Sequence, residues 1–267
     1  MAMQARRHLG SSSTPRSSDM AKADFSLAAC APDYTSTFIL LIGNSQKRLT
    51  IHEHVLCAQS SFFREKWQHS PRLGNTLSLS FPDIDYEAMQ VLVDWCYRKE
   101  TALKNPSVDP KKDGDNPNNI RRNQLAQVHL LATMFGMPRL EDDLTDQFRK
   151  HSKGRNMDPV TVRTVVDGQL PLCGLLRFII HDLGYYTSEN PQKYMNRRNQ
   201  WSKAITDLVD GHPVFAQAIF KAHMEFLADE TKEHPITQPI CFYHNHADDD
   251  ESCPANVATN DEDTNDE

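Results

Sequence analysis

The stretch that decides the fold runs from Phe38 to Phe63, "FILLIGNSQKRLTIHEHVLCAQSSFF". Phe38 to Ile42 is a short all-apolar run closed by Gly43-Asn44, which reads as a buried strand entering a tight turn. Lys47 to Ile51 then pairs back as the second strand of a hairpin. "EHVLCAQSSFFREKW" reads as two short helices broken near Ser60-Ser61, where a serine hydroxyl can cap the second. The adjacent His52, Glu53 and His54 raise a chemical question, because two imidazoles beside a carboxylate are the raw material of a metal site. Zinc needs further ligands, and the H-E-x-x-H spacing that puts two histidines on one helical face is not met by H-E-H. The favoured reading turns His52 inward at the strand-to-helix junction, its ring nitrogen bonding backbone. It leaves His54 on the surface and Glu53 at a helix N-terminus, where an acid is favourable.

Outward from this stretch, "TLSLSF" alternates with Leu77, Leu79 and Phe81 on one face, a half-buried strand. The helix that follows carries an apolar stripe at Ala88, Val91, Leu92, Trp95 and Cys96. Residues 103–120, "LKNPSVDPKKDGDNPNNI", form a polar insertion. Helix resumes at Arg121 with Val128, Leu131, Ala132 and Phe135. It stops at Gly136 and restarts at Pro138 through Leu140, Leu144 and Phe148. Beyond Asn156 four helical patterns follow, "PVTVRTVVDGQL", "LCGLLRFIIHDLGYY", "QKYMNRRNQWSKAITDLVDG" and "HPVFAQAIFKAHMEFLAD", with order fading from about His234.

Composition restricts the function classes. The net charge of -7 is local: nine acids and no Lys or Arg lie between Asp248 and Glu267, leaving 29 basic and 27 acidic residues elsewhere. The body therefore offers no electrostatic case for nucleic acid. Mean hydropathy is -0.60, consistent with polar tails on a folded centre. No apolar run approaches a membrane span, so no membrane partner is expected. The N-terminus lacks the apolar segment of a secretory signal; a mitochondrial presequence is a lesser reading of its arginines, and Ser11 to Thr14 are candidate phosphorylation sites. The six scattered cysteines read as free thiols in a reducing compartment, and the expected location is intracellular, cytoplasmic or nuclear. Cys241, His244, His246 and Cys253 match no zinc pattern. There is no G-x-S-x-G, phosphate loop or G-x-G-x-x-G, and neither a cofactor nor catalysis is expected.

Together, the hairpin, paired short helices, strand, long helix and closing helical pair resemble the BTB (POZ) domain. Three quoted stretches carry the resemblance: "FILLIGNSQKRLTIHEHVLCAQSSFF", "LSLSFPDIDYEAMQVLVDWCYRKE" and "LAQVHLLATMFGMPRLEDDLTDQF". His52, Leu56, Ser60, Phe63, Asp83 and Tyr97 fall on the family's signature positions. The whole is similar to fungal BTB proteins that append a helical section. The resemblance implies an α+β fold, a small mixed sheet flanked by short helices, followed by an all-helical section. The expected division is a disordered tail over 1–32, the BTB domain over 33–152, helices over 156–233 and a disordered acidic tail over 234–267. It further implies a non-enzymatic scaffold or adaptor that binds protein partners, with a homodimer as one form. Thr37 and Glu53 stand where repressor members carry an Asp and a basic residue, which argues against that charged pocket. Adaptors of the cullin-3 ubiquitin ligase carry a hydrophobic-x-Glu motif where this chain has "QHSPRLGNTL"; the motif is absent, so cullin-3 is only an alternative partner. Trp67, Arg72 and Leu73, in and beside that stretch, are the candidate partner-binding residues.

Overall fold

Alternation makes the sheet. In β1 (Thr37–Ile42) the side chains of Phe38, Leu40 and Ile42 point inward and are fully buried. β2 (Lys47–His52) returns antiparallel across a turn in which Gly43 takes a positive φ. The chain then crosses through α1 (Glu53–Gln59) and α2 (Ser61–His69) to β3 (Thr76–Phe81), which lies parallel to β1. The sheet order is β2-β1-β3, with Thr37 opposite both His52 and Thr76. This is the small mixed sheet the sequence implies. A computed structural model describes residues 34–104, 117–168, 173–194, 196, 199–229, 231 and 233–245. The expected N-terminal tail, the middle of the polar insertion and the acidic residues from 246 onward lie outside the described residues.

The helices follow the sequence with four corrections. α3 (Tyr86–Arg98) begins where Asp85 accepts the Ala88 N–H at 2.9 Å. Its buried stripe includes Met89 and Val93, while Val91, expected inside, is only half-buried. The insertion is narrower than 103–120. Leu103 is fully buried at the end of α4 (Glu100–Lys104), and α5 (Pro117–Met134) opens four residues before Arg121, with proline at its first position. α6 (Pro138–Ser152) and α7 (Pro159–Asp167) follow, then α8 (Gly174–Glu189). The expected helix from Gln192 to Gly211 is divided into a single turn, α9 (Pro191–Tyr194), and α10 (Gln200–Gly211), because Asn199 caps α10 by accepting the Trp201 N–H. α11 (Pro213–Ala228) completes the set.

The fourth correction is at the C-terminal side, where order does not fade at His234. Two 3-10 turns, Pro235–Thr237 and Ile240–Tyr243, run across α6 and α8. The signal lay in the apolar residues of "PITQPICFY", read as part of a polar tail. Tyr243 is fully buried against Phe178, with ring centres 5.3 Å apart. The Arg149 guanidinium sits over the Tyr243 ring and donates to the carbonyls of Ile236, Gln238, Pro239 and Ile240. Arg177 donates to the His244 carbonyl at 2.9 Å. Gly174 is required here, because a Cβ at that position would lie 1.7 Å from the Tyr243 carbonyl oxygen. One hydrophobic core therefore runs from Phe38 in the sheet to Tyr243.

Two ionisable groups are buried in this core against their charge. His129 on α5 is fully buried, neither ring nitrogen has a hydrogen-bond partner, and burial pushes its pKa down to about 4. Burial likewise pushes the Asp182 carboxyl up to about 8, a shift that the charge of Arg122 opposes.

Two outcomes follow from this architecture. Tyr243→Ala is expected to cost about 3–5 kcal/mol in chemical denaturation. Phe242→Ala, at a residue 46 % exposed, should cost well under half of that; equal small losses would mean the segment does not close the core. Because folding depresses the His129 pKa, the stability linked to its neutral form is complete above pH 6.5 and is lost as pH falls toward 4. His129→Leu should therefore lose about 3 kcal/mol less than wild type across that window. Parallel pH–stability curves for the two proteins would contradict the assignment.

Candidate partner-binding surface

The junction between β2 and α1 holds His52 at the helix N-cap, with φ -65° and ψ 137°. Its backbone N–H donates to the Tyr97 hydroxyl at 3.0 Å, and its ring Nδ1 lies 2.8 Å from the same oxygen. One hydrogen joins this pair, given by the Tyr97 hydroxyl or by Nδ1 according to the tautomer of the ring. This corrects the expectation that the ring bonds backbone: the backbone N–H is satisfied instead by Tyr97, which is 47 % exposed at the end of α3. Tyr34 stands edge-on to both imidazoles, 5.0 Å from the His54 ring and 6.1 Å from that of His52. His54 is half-buried, not a free surface residue, and its Nδ1 is enclosed without a hydrogen-bond partner. The cluster is a set of aromatic contacts; among the described residues no three His, Cys, Asp or Glu gather as metal ligands. Glu53 bonds the neighbouring Cys57, whose thiol is pushed up to about 12, chiefly by burial. Such a thiol is inert as a nucleophile.

Ser60, Leu56 and Phe63 fix the helical pair to the rest of the domain. The buried Ser60 hydroxyl accepts the Phe63 N–H at 3.2 Å, capping α2, and donates to the Phe135 carbonyl at 2.5 Å. Phe63 is fully buried among Phe38, Phe62, Phe81 and Phe135, with the Phe135 ring centre 4.7 Å away. Leu56 is fully buried on α1. Asp83 is exposed in the turn after β3, and the helix that follows starts only at Tyr86, capped by Asp85.

The three candidate partner residues come together at the end of α2. The Trp67 ring is half-buried against Phe38, 5.1 Å between centres, and the Arg72 guanidinium lies 4.7 Å from its centre. Leu73 and Thr76 exchange two backbone hydrogen bonds, at 3.0 and 3.2 Å, around Gly74, whose φ is +60°. The bonds hold Leu73 in place, yet it is 89 % exposed, the most open of the large apolar residues among the described residues. The sequence reading did not anticipate Tyr34 or Asp143, whose carboxylate accepts the buried Trp95 Nε1–H at 2.8 Å. Both act across long separations in the chain, and local periodicity carries no signal for such pairs.

Residues 31–152 match the family model of the BTB/POZ domain. The match covers less than half of the chain, and the described elements within it have the small mixed sheet and flanking helices of that fold. The BTB domain is a protein–protein interaction module, and the match spans every element from β1 to α6. No curated protein matches the chain. Among the described residues no helix is long and apolar enough to cross a membrane.

Tyr97→Phe tests the junction. Loss of the hydroxyl is expected to cost about 1 kcal/mol and to change the tautomer balance of His52 read from its ring carbon shifts in NMR. An unchanged tautomer would show that Tyr97 does not set it.

Proposed function

We propose that the chain is a non-enzymatic intracellular scaffold or adaptor whose BTB domain reads a protein partner with Trp67, Arg72 and Leu73. The observation that carries this reading is Leu73: an apolar residue 89 % exposed, on backbone held by two hydrogen bonds, beside an arginine lying over a tryptophan. Interfaces concentrate binding energy in such aromatic and arginine anchors. The helices over 156–233 extend the surface available for docking, in the manner of the fungal BTB proteins the sequence resembles. Self-association and the division of the chain at about residue 152 belong to the same proposal. A cullin-3 adaptor is the second reading, supported by the position of this surface between α2 and β3 and opposed by the absence of a hydrophobic-x-Glu motif there.

The test is affinity purification with partner identification from the native cell, using wild type and Leu73→Asp with matched melting temperatures. A partner retained by wild type and depleted at least about tenfold by the substitution, on the order of 1.4 kcal/mol, is the expected result. An identical partner set from both proteins would remove this surface from the proposal. Purified cullin-3, run beside a motif-bearing BTB control, decides the second reading: binding of comparable strength would establish it.

A further inference from the structure

The end of α6 and the residues just after it form a basic run, Arg149, Lys150, His151, Lys153 and Arg155, with no acid between them. Arg149 is neutralised locally: it lies 3.6 Å from Asp146 and donates to four carbonyls. Lys150, Lys153 and Arg155 are exposed and have no ion-pair partner among the described residues. The carboxylates that flank the run in sequence are committed. Asp146 lies 3.3 Å from His244 Nε2 as well as beside Arg149, and Asp158 accepts from the N–H and the hydroxyl of Thr161, both at 3.1 Å. The carbonyl end of a helix favours cations, but it offers only about half a negative charge. The His151 pKa is held below its ordinary value, chiefly by burial and then by the charges of Arg121, Arg155, Arg122 and Lys150.

Lys150 and Lys153 line a groove of about 310 Å³ between α6 and the C-terminal turns. Asp146 and Arg149 complete its α6 side. The opposite side is Ile236 and Ile240, with Gln238 and with Thr237, whose hydroxyl donates to the His234 carbonyl at 2.7 Å. Because Asp146 and Arg149 offset each other, both lysine charges in the groove remain uncompensated.

The described chain ends on the same helix. Asn245, its last residue, donates its N–H to Asp142 at 3.1 Å. Lys150 and Lys153 lie eight and eleven residues beyond Asp142 along α6, about 12 and 17 Å at 1.5 Å per residue. The acids nearest to Asn245 in sequence are the block Asp248 to Glu251. An extended chain at about 3.3 Å per residue carries that block about 10 to 20 Å from Asn245, which spans both lysines. We infer that the block Asp248 to Glu251 folds back along α6 and docks in this groove with its carboxylates on Lys150 and Lys153, so that the chain's own tail competes with any acidic partner for these lysines. Two charge effects favour that direction. Glu141, Asp142 and Asp143 near the start of α6 repel the block, and the basic run at its end attracts it. The tether holds the block near its site at an effective concentration on the order of millimolar, so weak pairing suffices. This inference is independent of the partner surface at Leu73.

The experiment is NMR of the full chain, wild type beside a variant carrying Asp248→Asn, Asp249→Asn, Asp250→Asn and Glu251→Gln. These substitutions fall beyond Asn245 and touch no contact described above. Neutralising the block is expected to shift the backbone amide signals of Lys150, Lys153, Ile236 and Ile240 and to leave those of Lys47 and Lys203 in place. In 1 M salt, where charges are screened beyond about 3 Å, the two proteins should agree at all of these positions. Hexa-aspartate, used as the acidic probe, should bind the variant at least about five-fold more tightly than wild type, because no tethered competitor remains. Unchanged Lys150 and Lys153 signals would overturn the inference. So would shifts confined to Lys99 and Arg139, which would put the block at the other end of α6. Shifts that fade on dilution would assign the groove to the tail of a second copy and overturn the folding back. Equal affinity of the two proteins for hexa-aspartate would overturn the competition.

Discussion

The fold turns on one hydroxyl. Ser60 caps α2 by accepting the Phe63 N–H and, with its own hydrogen, bonds the Phe135 carbonyl 75 residues along the chain. A fully buried oxygen with both roles occupied adds stability at little desolvation cost. Its position fixes the rest. It sets the start of α2 against the joint between α5 and α6, and Gly136 at that joint has a positive φ where an added Cβ would press on the Ser61 Oγ. The aromatic rings of Phe38, Phe63, Phe81 and Phe135 then close around this point, drawing together β1, α2, β3 and the end of α5.

Much of this was legible in the sequence because it is periodic or punctuated. The alternation of Leu77, Leu79 and Phe81, the serine break at residues 60 and 61, and the Gly136–Pro138 joint each carry a local rule. His52 and Tyr97 illustrate the limit. Both were marked as signature positions, yet their bond joins residues 45 apart, and no pattern of spacing says that a phenol and an imidazole will meet. The stripe on α3 erred for a related reason. Periodicity fixes one apolar face, but α3 is enclosed widely enough to bury Met89 and Val93 as well.

The largest misreading was the C-terminal segment. Composition there is dominated by the acids that follow, and a window average hides the few apolar residues preceding them. Much of what holds the segment is its main chain, gripped by Arg149 and Arg177, and main-chain recognition leaves no mark on composition. The burial of Tyr243 could have been suspected from its place beside Phe242 and Ile240.

That mode of attachment has a consequence for how the protein can change. Arg149 grips the carbonyls of Ile236, Gln238, Pro239 and Ile240 and is indifferent to their side chains. The identity of those four residues is thus weakly constrained, whereas the number of residues between them and Tyr243 is strictly constrained. A single insertion there would rotate the ring out of its place beside Phe178 and bring a different carbonyl against Gly174. The segment behaves as a ruler: sequence drift leaves it intact, and a change of length does not.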